Sequence, residues 1–280
     1  MIDLIASSKE IFQRAQIDYK PYAICLMLSG GDDSLTTLEV CNELGIKIDL
    51  IIHGVTGTGI KQTHDFVLNT VKNLPFKYVE ANAGNAYEKY VLRKGFFGVG
   101  NRAHSYSYHL LKANPFRSII SKEIRHGLSG RPIILINGAR RGESENRQKT
   151  MVFPFRRDPS AKQNIWVNLI NEWPNHSTVD YLDGNNVERN PVSKVLCRSG
   201  ECCCGTQQTL GDGNEAAALF PEWGKWWKDL RKAVKEKGFY WDWGQQMPKG
   251  IAMEKKGQIN MFQPMCSDCK INYALRRTDK

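Results

Sequence analysis

A short apolar run that ends in two glycines constrains the fold of this chain more than any other feature. Residues 23–28, Ala-Ile-Cys-Leu-Met-Leu, are all apolar, and Ser29-Gly30-Gly31 follows them. An apolar run of this length that meets a glycine turn is typical of a strand buried on both faces. Leu35 to Leu44 then has helical spacing, and Gly45 closes that helix. The segment therefore predicts a buried strand joined by a tight turn to a helix.

The same alternation continues along the first half of the chain. An N-terminal helix is predicted over residues 3–17 and another over Thr63–Leu74. Further strands are predicted at Ile46–His53, Phe76–Val79 and Pro132–Asn137. Because strands that alternate with helices form parallel sheets, we predict a doubly wound parallel α/β sheet.

The pattern changes in two later parts of the chain. Residues 83–131 have weak periodicity and are interpreted as a helical or loop-rich excursion. After Met151 we predict helical pieces at Trp166–Trp173, Thr178–Leu182 and Glu215–Lys235. At about 150 residues per domain, 280 residues fit one large domain and an appendage. We therefore predict an α/β domain over residues 1–160 and a small helical C-terminal region, containing cysteines, over 161–280.

Composition excludes several classes of protein. With 41% hydrophobic and 24% charged residues, the chain is neither disordered nor fibrous. Its longest apolar runs are far shorter than the ~20 residues of a membrane span. The first ten residues lack the basic and apolar regions of a secretory signal. We expect a soluble, cytoplasmic protein.

The basic charge is concentrated in one stretch. The net charge is +10, and residues 93–157 hold 14 Lys and Arg against three acidic residues. A solvated surface is one interpretation of this stretch. A surface for a polyanion such as nucleic acid is the other, and we favour it because such local concentration is typical of phosphate-binding proteins.

The cysteines fall into two kinds. Cys25 and Cys41 stand alone in apolar surroundings and are predicted to lie in the core. The other six cluster at Cys197, Cys202, Cys203, Cys204, Cys266 and Cys269. Clustered cysteines in a chain without a secretory signal indicate metal ligands more than disulfides. Four thiolates suit either a tetrahedral Zn²⁺ or an iron–sulfur cluster, and the spacing leaves both open.

The glycine turn carries polar residues suited to phosphate. In Ser29-Gly30-Gly31-Asp32-Asp33-Ser34, the glycines allow a phosphate to approach the backbone, and the helix that follows points its N–H groups at it. The hydroxyls of Ser29 and Ser34 are candidate phosphate donors. Asp33 is a candidate Mg²⁺ ligand or helix cap.

A group of arginines follows the fourth predicted strand. Arg140, Arg141 and Arg147 come just after Pro132–Asn137, where the carboxyl ends of parallel strands form a ligand crevice. Guanidinium groups there would clamp phosphates, and Glu143 would orient one of them by an ion pair. An exposed, charged helix start is the alternative interpretation.

Three ordered motifs together resemble a known family. Ser29–Ser34 resembles the SGGxDS pyrophosphate loop of the adenine-nucleotide α-hydrolase superfamily. Residues 138–147, Gly-Ala-Arg-Arg-Gly-Glu-Ser-Glu-Asn-Arg, resemble the G-x-R-x-x-E-S-x-x-R element of its PAPS reductase-like ATP pyrophosphatases. Trp173, Val179-Asp-Tyr-Leu182 and Asn190-Pro191 resemble the later signature of that branch. The resemblance covers about residues 22–205.

The resemblance implies an ATP site and its residues. It implies Asp33, Ser34, Arg140 and Arg147 as catalytic residues, with ATP and Mg²⁺ as cofactors. The residues it implies for nucleotide binding are Ser29, Gly30, Gly31, Asp32, Asp33, Ser34, His53, Gly54, Thr58, Gly59, Gly138, Arg140, Arg141 and Glu143. One position departs from the branch, because Asp32 stands where reductases often carry Lys. We interpret this second acid as favouring a bound Mg²⁺.

The same resemblance bears on the cysteines and on the reaction. Split cysteine ligation in iron–sulfur members of the branch favours a [4Fe–4S] cluster on Cys202, Cys204, Cys266 and Cys269, with Cys197 and Cys203 as spare candidates and Zn²⁺ as the alternative metal. The Glu-Cys-Gly-x-His element of assimilatory reductases is absent near the C-terminus. Among the remaining members, DNA phosphorothioation proteins are the most similar. They share the pyrophosphate loop, the Arg-Arg-Gly-Glu-Ser element and Ser199-Gly-Glu-Cys-x-Cys-Gly205.

The resemblance therefore implies adenylation of a DNA backbone phosphate, followed by sulfur incorporation from a cysteine desulfurase. tRNA thiolation and PAPS reduction remain the enzymatic alternatives. The non-enzymatic alternative is a metal-stabilised module that binds nucleic acid.

Overall fold

The structure is a computed structural model that describes residues 3–126, 130–159 and 161–248. These residues form two compact units. The first contains residues 3–55, 59–82 and 114–201, and the second contains 56–58, 83–113 and 202–248.

This division differs from the predicted one at residue 160. The predicted boundary falls between two strands, β5 (Phe155–Asp158) and β6 (Ala161–Asn168), which pair with each other in one sheet. Backbone hydrogen bonds of that sheet keep the residues on both sides of 160 in the first unit. The excursion at 83–113, in contrast, belongs to the same compact unit as residues 202–248.

A six-stranded sheet forms the centre of the first unit. The strand order is β3-β2-β1-β4-β6-β5, and neighbouring strands are parallel except for the pair β5 and β6. The other strands are β1 (Ala23–Met27), β2 (Leu50–Val55), β3 (Tyr78–Asn82) and β4 (Ile133–Asn137). The predicted mixed α/β fold with a mostly parallel sheet is confirmed.

Strand β1 is buried on both faces, as its apolar run predicted. Leu26 and Leu28 point into one core, which is formed with the helices α1 (Leu4–Tyr19), α2 (Asp32–Glu43) and α3 (Lys61–Val71). Cys25 and Met27 point into the opposite core, where Ile120 of α6 (Asn114–Ile120) packs. Because successive side chains of a strand alternate between faces, helices on both sides are needed to cover a uniformly apolar strand.

The helices include most of those predicted. Those of the first unit are α1 (Leu4–Tyr19), α2 (Asp32–Glu43), α3 (Lys61–Val71), α6 (Asn114–Ile120), α7 (Glu145–Thr150), α8 (Ser177–Gly184) and α9 (Pro191–Leu196). Those of the second unit are α4 (Ala86–Lys94), α5 (Asn101–Tyr108), α10 (Leu210–Leu219) and α11 (Pro221–Glu236). Short π-helical turns follow α5 and α6, at His109–Ala113 and Ser121–Arg125.

The predicted helix at Trp166–Trp173 is wrong. This segment begins inside strand β6 and continues as a turn. Ile165, Val167 and Leu169 enter one core while Trp166 packs against the other, which is the two-residue period of a strand. The segment predicted as one helix over Glu215–Lys235 is two helices, since Pro221 begins α11.

Tryptophans form the core of the second unit. Trp223 and Trp227 stack with ring centroids 5.7 Å apart, and Trp243 meets Trp227 edge-on at 5.5 Å. All three are buried.

None of the helices in the described residues is long and apolar enough to cross a membrane.

Candidate functional site

The loop between β1 and α2 has a conformation that only glycine supports at its centre. Gly30 has a φ of +79°, and a Cβ built there would lie 2.8 Å from Val67 Cγ2. Gly31 is extended and is the N-cap residue of α2, so no side chain caps this helix. Because the first N–H groups of a helix have no partner within it, α2 presents those of Asp32, Asp33 and Ser34 at this loop.

The two serines of this loop bond to each other. Ser29 Oγ donates to Ser34 Oγ at 3.0 Å, and Ser34 Oγ donates to the Gly31 carbonyl at 2.9 Å. The Ser29 N–H also donates to Ser34 Oγ, at 3.2 Å. Both hydroxyl protons are therefore used within the loop. The structure gives these serines a role in fixing the backbone, and the predicted donation to phosphate would need one of these hydrogen bonds to break.

A buried asparagine supports the loop from the outside. Asn190 Nδ2 lies within hydrogen-bond distance of the Gly30 carbonyl at 2.8 Å, of Thr63 Oγ1 at 3.1 Å and of the Ser199 carbonyl at 3.2 Å. Its Oδ1 accepts from the Val192 N–H and so caps α9. The Asn-Pro signature seen in the sequence thus joins the loop to α3 and α9.

Gly138, which follows β4, passes directly over the first turn of α2. A Cβ at this position would lie 2.5 Å from the Asp33 carbonyl oxygen and 2.8 Å from the Ser34 nitrogen. Both are backbone atoms, so no side chain is tolerated here. The chain leaving β4 can therefore bring Arg140 to the loop.

Arg140 forms an ion pair with Asp33. Its Nε donates to Asp33 Oδ1 at 2.9 Å, and its Nη1 donates to the Pro174 carbonyl at 3.2 Å. The Arg140 side chain is 11% exposed. The predicted phosphate clamp and the predicted Mg²⁺ ligand are thus bonded to each other.

Glu143 connects two of the predicted arginines. Its carboxylate accepts from the Arg140 backbone N–H at 2.8 Å and from Arg147 Nη1. Burial raises the pKa of the Glu143 carboxyl, and the Arg147 guanidinium acts in the opposite direction. Arg141 is 43% exposed and lies 3.9 Å from Glu172. Glu143 orients Arg147, as predicted.

Arg189 is a member of this site that sequence reasoning missed. Its Nε and Nη2 donate to the two carboxylate oxygens of Asp32, at 3.1 and 2.8 Å. These hydrogen bonds raise the pKa of the guanidinium. Asp32 was interpreted as favouring Mg²⁺, but an arginine neutralises its carboxylate here. The only sequence signal was the position of Arg189 directly before Asn190-Pro191.

Three further residues of the first unit that are predicted to bind the nucleotide lie near the end of β2 or just after it. They are His53, Gly54 and Gly59. His53 is buried, and its Nδ1 is 2.8 Å from the Leu28 carbonyl, next to the loop. Gly54 and Gly59 both contact Glu201. A Cβ at Gly54 would lie 2.7 Å from its Oε1, and one at Gly59 would lie 2.6 Å from its carbonyl oxygen.

Thr58 lies in the second unit, where it contacts the cysteine loop, defined here as Cys202–Gly205. Thr58 Oγ1 accepts from the Cys203 N–H at 3.0 Å and lies 3.9 Å from Cys202 Sγ. It is buried. The structure therefore adds a role at the cysteines to its predicted role at the nucleotide.

Side chains hold the backbone of the cysteine loop. The carbonyls of Cys202, Cys203 and Cys204 accept from Gln208 Nε2, Trp243 Nε1 and Tyr87 Oη at 3.1, 3.1 and 3.0 Å, respectively. Each of the three donors comes from a different part of the second unit. The loop therefore has a fixed conformation in that unit.

Cys202 and Cys204 bring their sulfur atoms together. A hydrogen bond with Cys202 is the main cause that lowers the pKa of Cys204 to about 5, against the effect of burial. Hydroxyl groups add to this, since the Cys204 sulfur lies 3.3 Å from Thr206 Oγ1 and 3.7 Å from Ser107 Oγ. A paired, readily ionised thiol is the donor type that Zn²⁺ and iron–sulfur clusters take.

The described residues contain two of the four thiols that are predicted to hold a metal group. They contain no group of three or more His, Cys, Asp or Glu side chains arranged to hold a metal ion. Cys203 is buried, and Cys197 is exposed at the end of α9. Cys266 and Cys269 lie outside the described residues. Cys202 and Cys204 thus fit as half of the predicted tetrathiolate set.

The two remaining cysteines lie in the core, as predicted. Cys25 and Cys41 are fully buried. Burial raises the pKa of Cys25 to about 12 and raises that of Cys41 as well. Their thiols are therefore kept protonated.

Many basic residues of the 93–157 stretch have carboxylate partners. In the first unit the ion pairs are Arg117–Asp158, Lys122–Glu123, Arg140–Asp33, Arg141–Glu172 and Arg147–Glu143. Part of the formal positive charge is thus used within the fold. Binding of a polyanion to this stretch would therefore depend on its exposed basic residues outside these ion pairs.

Comparison with known proteins gives one family and several similar folds. The family model described as phosphoadenosine phosphosulfate reductase domain matches residues 23–207. No curated protein matches the chain at a significant level.

The solved structures that resemble this chain have low sequence identity to it. Phosphoadenylyl-sulfate (PAPS) reductase from Candida auris is 15% identical with a TM-score of 0.46, over 67% of this chain and 84% of that one. FMN adenylyltransferase from Candida glabrata, solved with ATP, is 13% identical with a TM-score of 0.47, over 68% of this chain and 56% of that one. A U34-tRNA thiolase from Methanococcus maripaludis, solved with its [4Fe-4S] cluster, is 12% identical with a TM-score of 0.45, over 95% and 82%.

Proposed function

The chain belongs to the phosphoadenosine phosphosulfate reductase domain family, and from that premise we propose that it is an AMP-forming ATP pyrophosphatase coupled to sulfur transfer. In this proposal ATP adenylates a backbone phosphate of DNA. A non-bridging oxygen of that phosphate attacks the α-phosphorus of ATP, and the bond to the β-phosphate breaks with release of pyrophosphate. The outer sulfur of a persulfide formed by a cysteine desulfurase then attacks the same phosphorus and displaces AMP, which carries the oxygen away. A thiol reductant cleaves the remaining S–S bond, which leaves the sulfur on phosphorus and oxidises the thiols to a disulfide.

The observation that carries the proposal is the loop between β1 and α2, Ser29–Ser34, to which we give the name pyrophosphate loop. Glycine backbone, bonded serines and the first N–H groups of α2 together form an anion-binding cradle at the carboxyl end of β1. Carboxyl ends of parallel strands are where α/β sheets bind ligands. Asn190 and Gly138 fix the cradle from two sides.

The chain's own residues would act mainly by positioning charge. Phosphate binding would let the Arg140 guanidinium exchange Asp33 for phosphate oxygens, and Glu143 would hold Arg147 in place for the leaving pyrophosphate. Asp33 is then available as an oxygen ligand. The residues therefore fit Mg²⁺, which Asp33 would hold and which supplies positive charge to the phosphates when bound.

The cysteines fit a metal group of the second unit. Cys202 and Cys204 would supply two thiolates to a [4Fe–4S] cluster or to Zn²⁺, with Cys266 and Cys269 as the proposed others. Held by these four thiolates, a cluster would supply electron transfer, whereas Zn²⁺ would supply structure. Iron and zinc content of the anaerobically purified protein distinguishes the two.

Pyrophosphate release tests the nucleotide chemistry. We expect Mg²⁺-dependent pyrophosphate release from ATP, in the presence of DNA, to fall ~100-fold or more in Asp33→Asn and in Arg140→Gln, since each removes a group that meets developing charge. The matched control is Asp65→Asn, because Asp65 lies on the surface of α3 and pairs with Lys61. Full turnover in both loop variants would contradict the proposal.

The alternatives in this family give different products. A reductase would release sulfite from phosphoadenylyl sulfate with a thiol reductant, and a tRNA thiolase would place labelled sulfur in RNA. With ATP, cysteine and a desulfurase present, we expect labelled sulfur in DNA. Sulfite formation, or label in RNA alone, would overturn the DNA assignment.

A further inference from the structure

Residues 151–154 connect α7 to the edge strand β5. The Asn168 N–H donates to the Pro154 carbonyl at 2.7 Å, and Asn168 is in register with Asn137 at the end of β4. The segment thus lies at the edge of the sheet where β4 and β6 end. Parallel strands end together, so this is also the edge of the pyrophosphate loop.

The segment exposes two apolar side chains in succession. Phe153 is 74% exposed and Val152 is 51% exposed. Single exposed apolar residues are ordinary on protein surfaces, but adjacent ones at the edge of a ligand crevice indicate a contact surface. An aromatic ring in this position has a free face for stacking.

Basic side chains flank the segment without acidic partners. Lys149 and Arg156 are exposed, and no carboxylate of the described residues forms an ion pair with either of them. Residues 147–163 contain five basic residues and one acid, Asp158. Asp158 is buried and lies 3.5 Å from Arg117. The exposed charge of residues 147–163 is therefore positive, and the acid Glu172, whose neighbour Asn171 donates to the Met151 carbonyl, lies 3.9 Å from Arg141.

We propose that Val152 and Phe153, with Lys149 and Arg156, form a docking surface for single-stranded DNA. Phe153 stacks on an unpaired base, and the two cations contact phosphates on either side of it. Positive charge beside an exposed aromatic ring complements a nucleic-acid strand, whereas like charges oppose the pairing of two copies of this face. The inference rests on the proposed function, since it places the acceptor strand at the edge of the sheet that holds the nucleotide loop.

Binding of a fluorescent single-stranded DNA oligonucleotide to the full chain tests the stacking. We expect Phe153→Ala to weaken binding about tenfold, the typical effect of losing one stacked base. Ile17→Ala is the matched control, because Ile17 is 71% exposed, much as Phe153 is, but is not part of the proposed surface. It lies near the end of α1, which leads into the amino end of β1. We expect the control to bind as the wild type does.

The salt dependence of the same binding tests the cations. A double variant, Lys149→Ala with Arg156→Ala, should reduce the slope of log affinity against log salt by about 1.4, which corresponds to two phosphates of a single strand. Lys47→Ala with Lys72→Ala removes the same charge from exposed positions elsewhere and should leave the slope unchanged.

Several outcomes would overturn this surface. The proposal fails if the wild-type protein does not bind the oligonucleotide at low salt, or if Phe153→Ala binds it as tightly as the wild type. It also fails if the protein binds RNA but not DNA of the same sequence. Loss of a dimer in Phe153→Ala with DNA binding intact would assign the face to self-association instead. If the variants lose DNA binding as expected but the wild type releases no pyrophosphate from ATP, the surface stands and the proposed function fails.

Discussion

The pyrophosphate loop and the cysteine loop differ in the charge of the side chains that surround them. Around the first, carboxylates meet guanidinium groups, as in the pairs Asp33–Arg140 and Asp32–Arg189. Around the second, neutral groups surround the sulfur atoms and backbone carbonyls of Cys202–Gly205. Opposite charges are paired at the first loop, whereas hydrogen bonds with Cys202 and with hydroxyl groups lower the pKa of Cys204 at the second.

This difference indicates how each loop meets its ligand. Ion pairs can exchange partners, so an incoming phosphate can take Arg140 while Asp33 is released for a metal ion. A loop fixed by hydrogen bonds to its carbonyls cannot rearrange without loss of those bonds. We infer that the charged side chains at the first loop adjust to its ligand, while its backbone is fixed by Asn190, and that the second loop is preorganised as a whole.

The largest effect on stability is expected from Asn190, whose hydrogen bonds fix the pyrophosphate loop just as hydrogen bonds fix the cysteine loop. Asn190→Ala removes the bond to the Gly30 carbonyl, the other bonds of this amide and the cap of α9. Because the group is fully buried, we expect the free energy of unfolding to fall by about 3 kcal/mol. Urea denaturation measures this change, and nucleotide affinity should fall with it.

The control for this variant is another asparagine of the same region. Asn185 is exposed, and its side chain donates to the Tyr181 carbonyl within the last turn of α8. Asn185→Ala should change the free energy of unfolding by less than about 1 kcal/mol. Equal effects of the two substitutions would show that Asn190 does not support the loop.

A smaller effect is expected at the cysteine loop. Tyr87→Phe removes the hydroxyl that donates to the Cys204 carbonyl at 3.0 Å and leaves that acceptor buried. We expect a loss of about 2 kcal/mol in the free energy of unfolding, the typical cost of a buried group without its partner. Tyr106→Phe is the control, since the Tyr106 side chain is 53% exposed. A Tyr87→Phe protein as stable as the wild type would contradict the preorganised loop.

Local patterns were sufficient to predict the parts of the fold that depend on neighbouring residues. The apolar run at 23–28 and the turn after it gave β1 and the start of α2, and the buried Cys25 and Cys41 followed from their surroundings. Membership of the family was also predictable, because its motifs are short and ordered.

Features that depend on distant contacts were not predictable. Arg189 reaches Asp32 across 157 residues of sequence, and no local pattern marks an arginine for that contact. Strand β6 was taken for a helix because Ile165-Trp-Val-Asn-Leu-Ile170 contains too few polar residues to show its two-residue period. The contact of Thr58 with the cysteine loop is likewise a product of tertiary packing, while its nucleotide role stays a prediction.

The smallest effect is expected from the ion pair that distinguishes the two loops most directly. Asp32 and Arg189 share two hydrogen bonds, and their side chains are 19% and 15% exposed. A double-mutant cycle with Asp32→Asn and Arg189→Gln, followed by urea denaturation, should give a coupling energy of about 1 kcal/mol, because burial strengthens the pair but desolvation opposes it. The same cycle on the more exposed pair Lys61–Asp65 of α3 should give about 0.3–0.5 kcal/mol.

With saturating nucleotide, the Asp32–Arg189 coupling should persist, because only Arg140 is expected to change partners. A coupling that disappears on nucleotide binding would mean that Arg189 also transfers to the phosphates, and both loop acids would then be available to a metal ion.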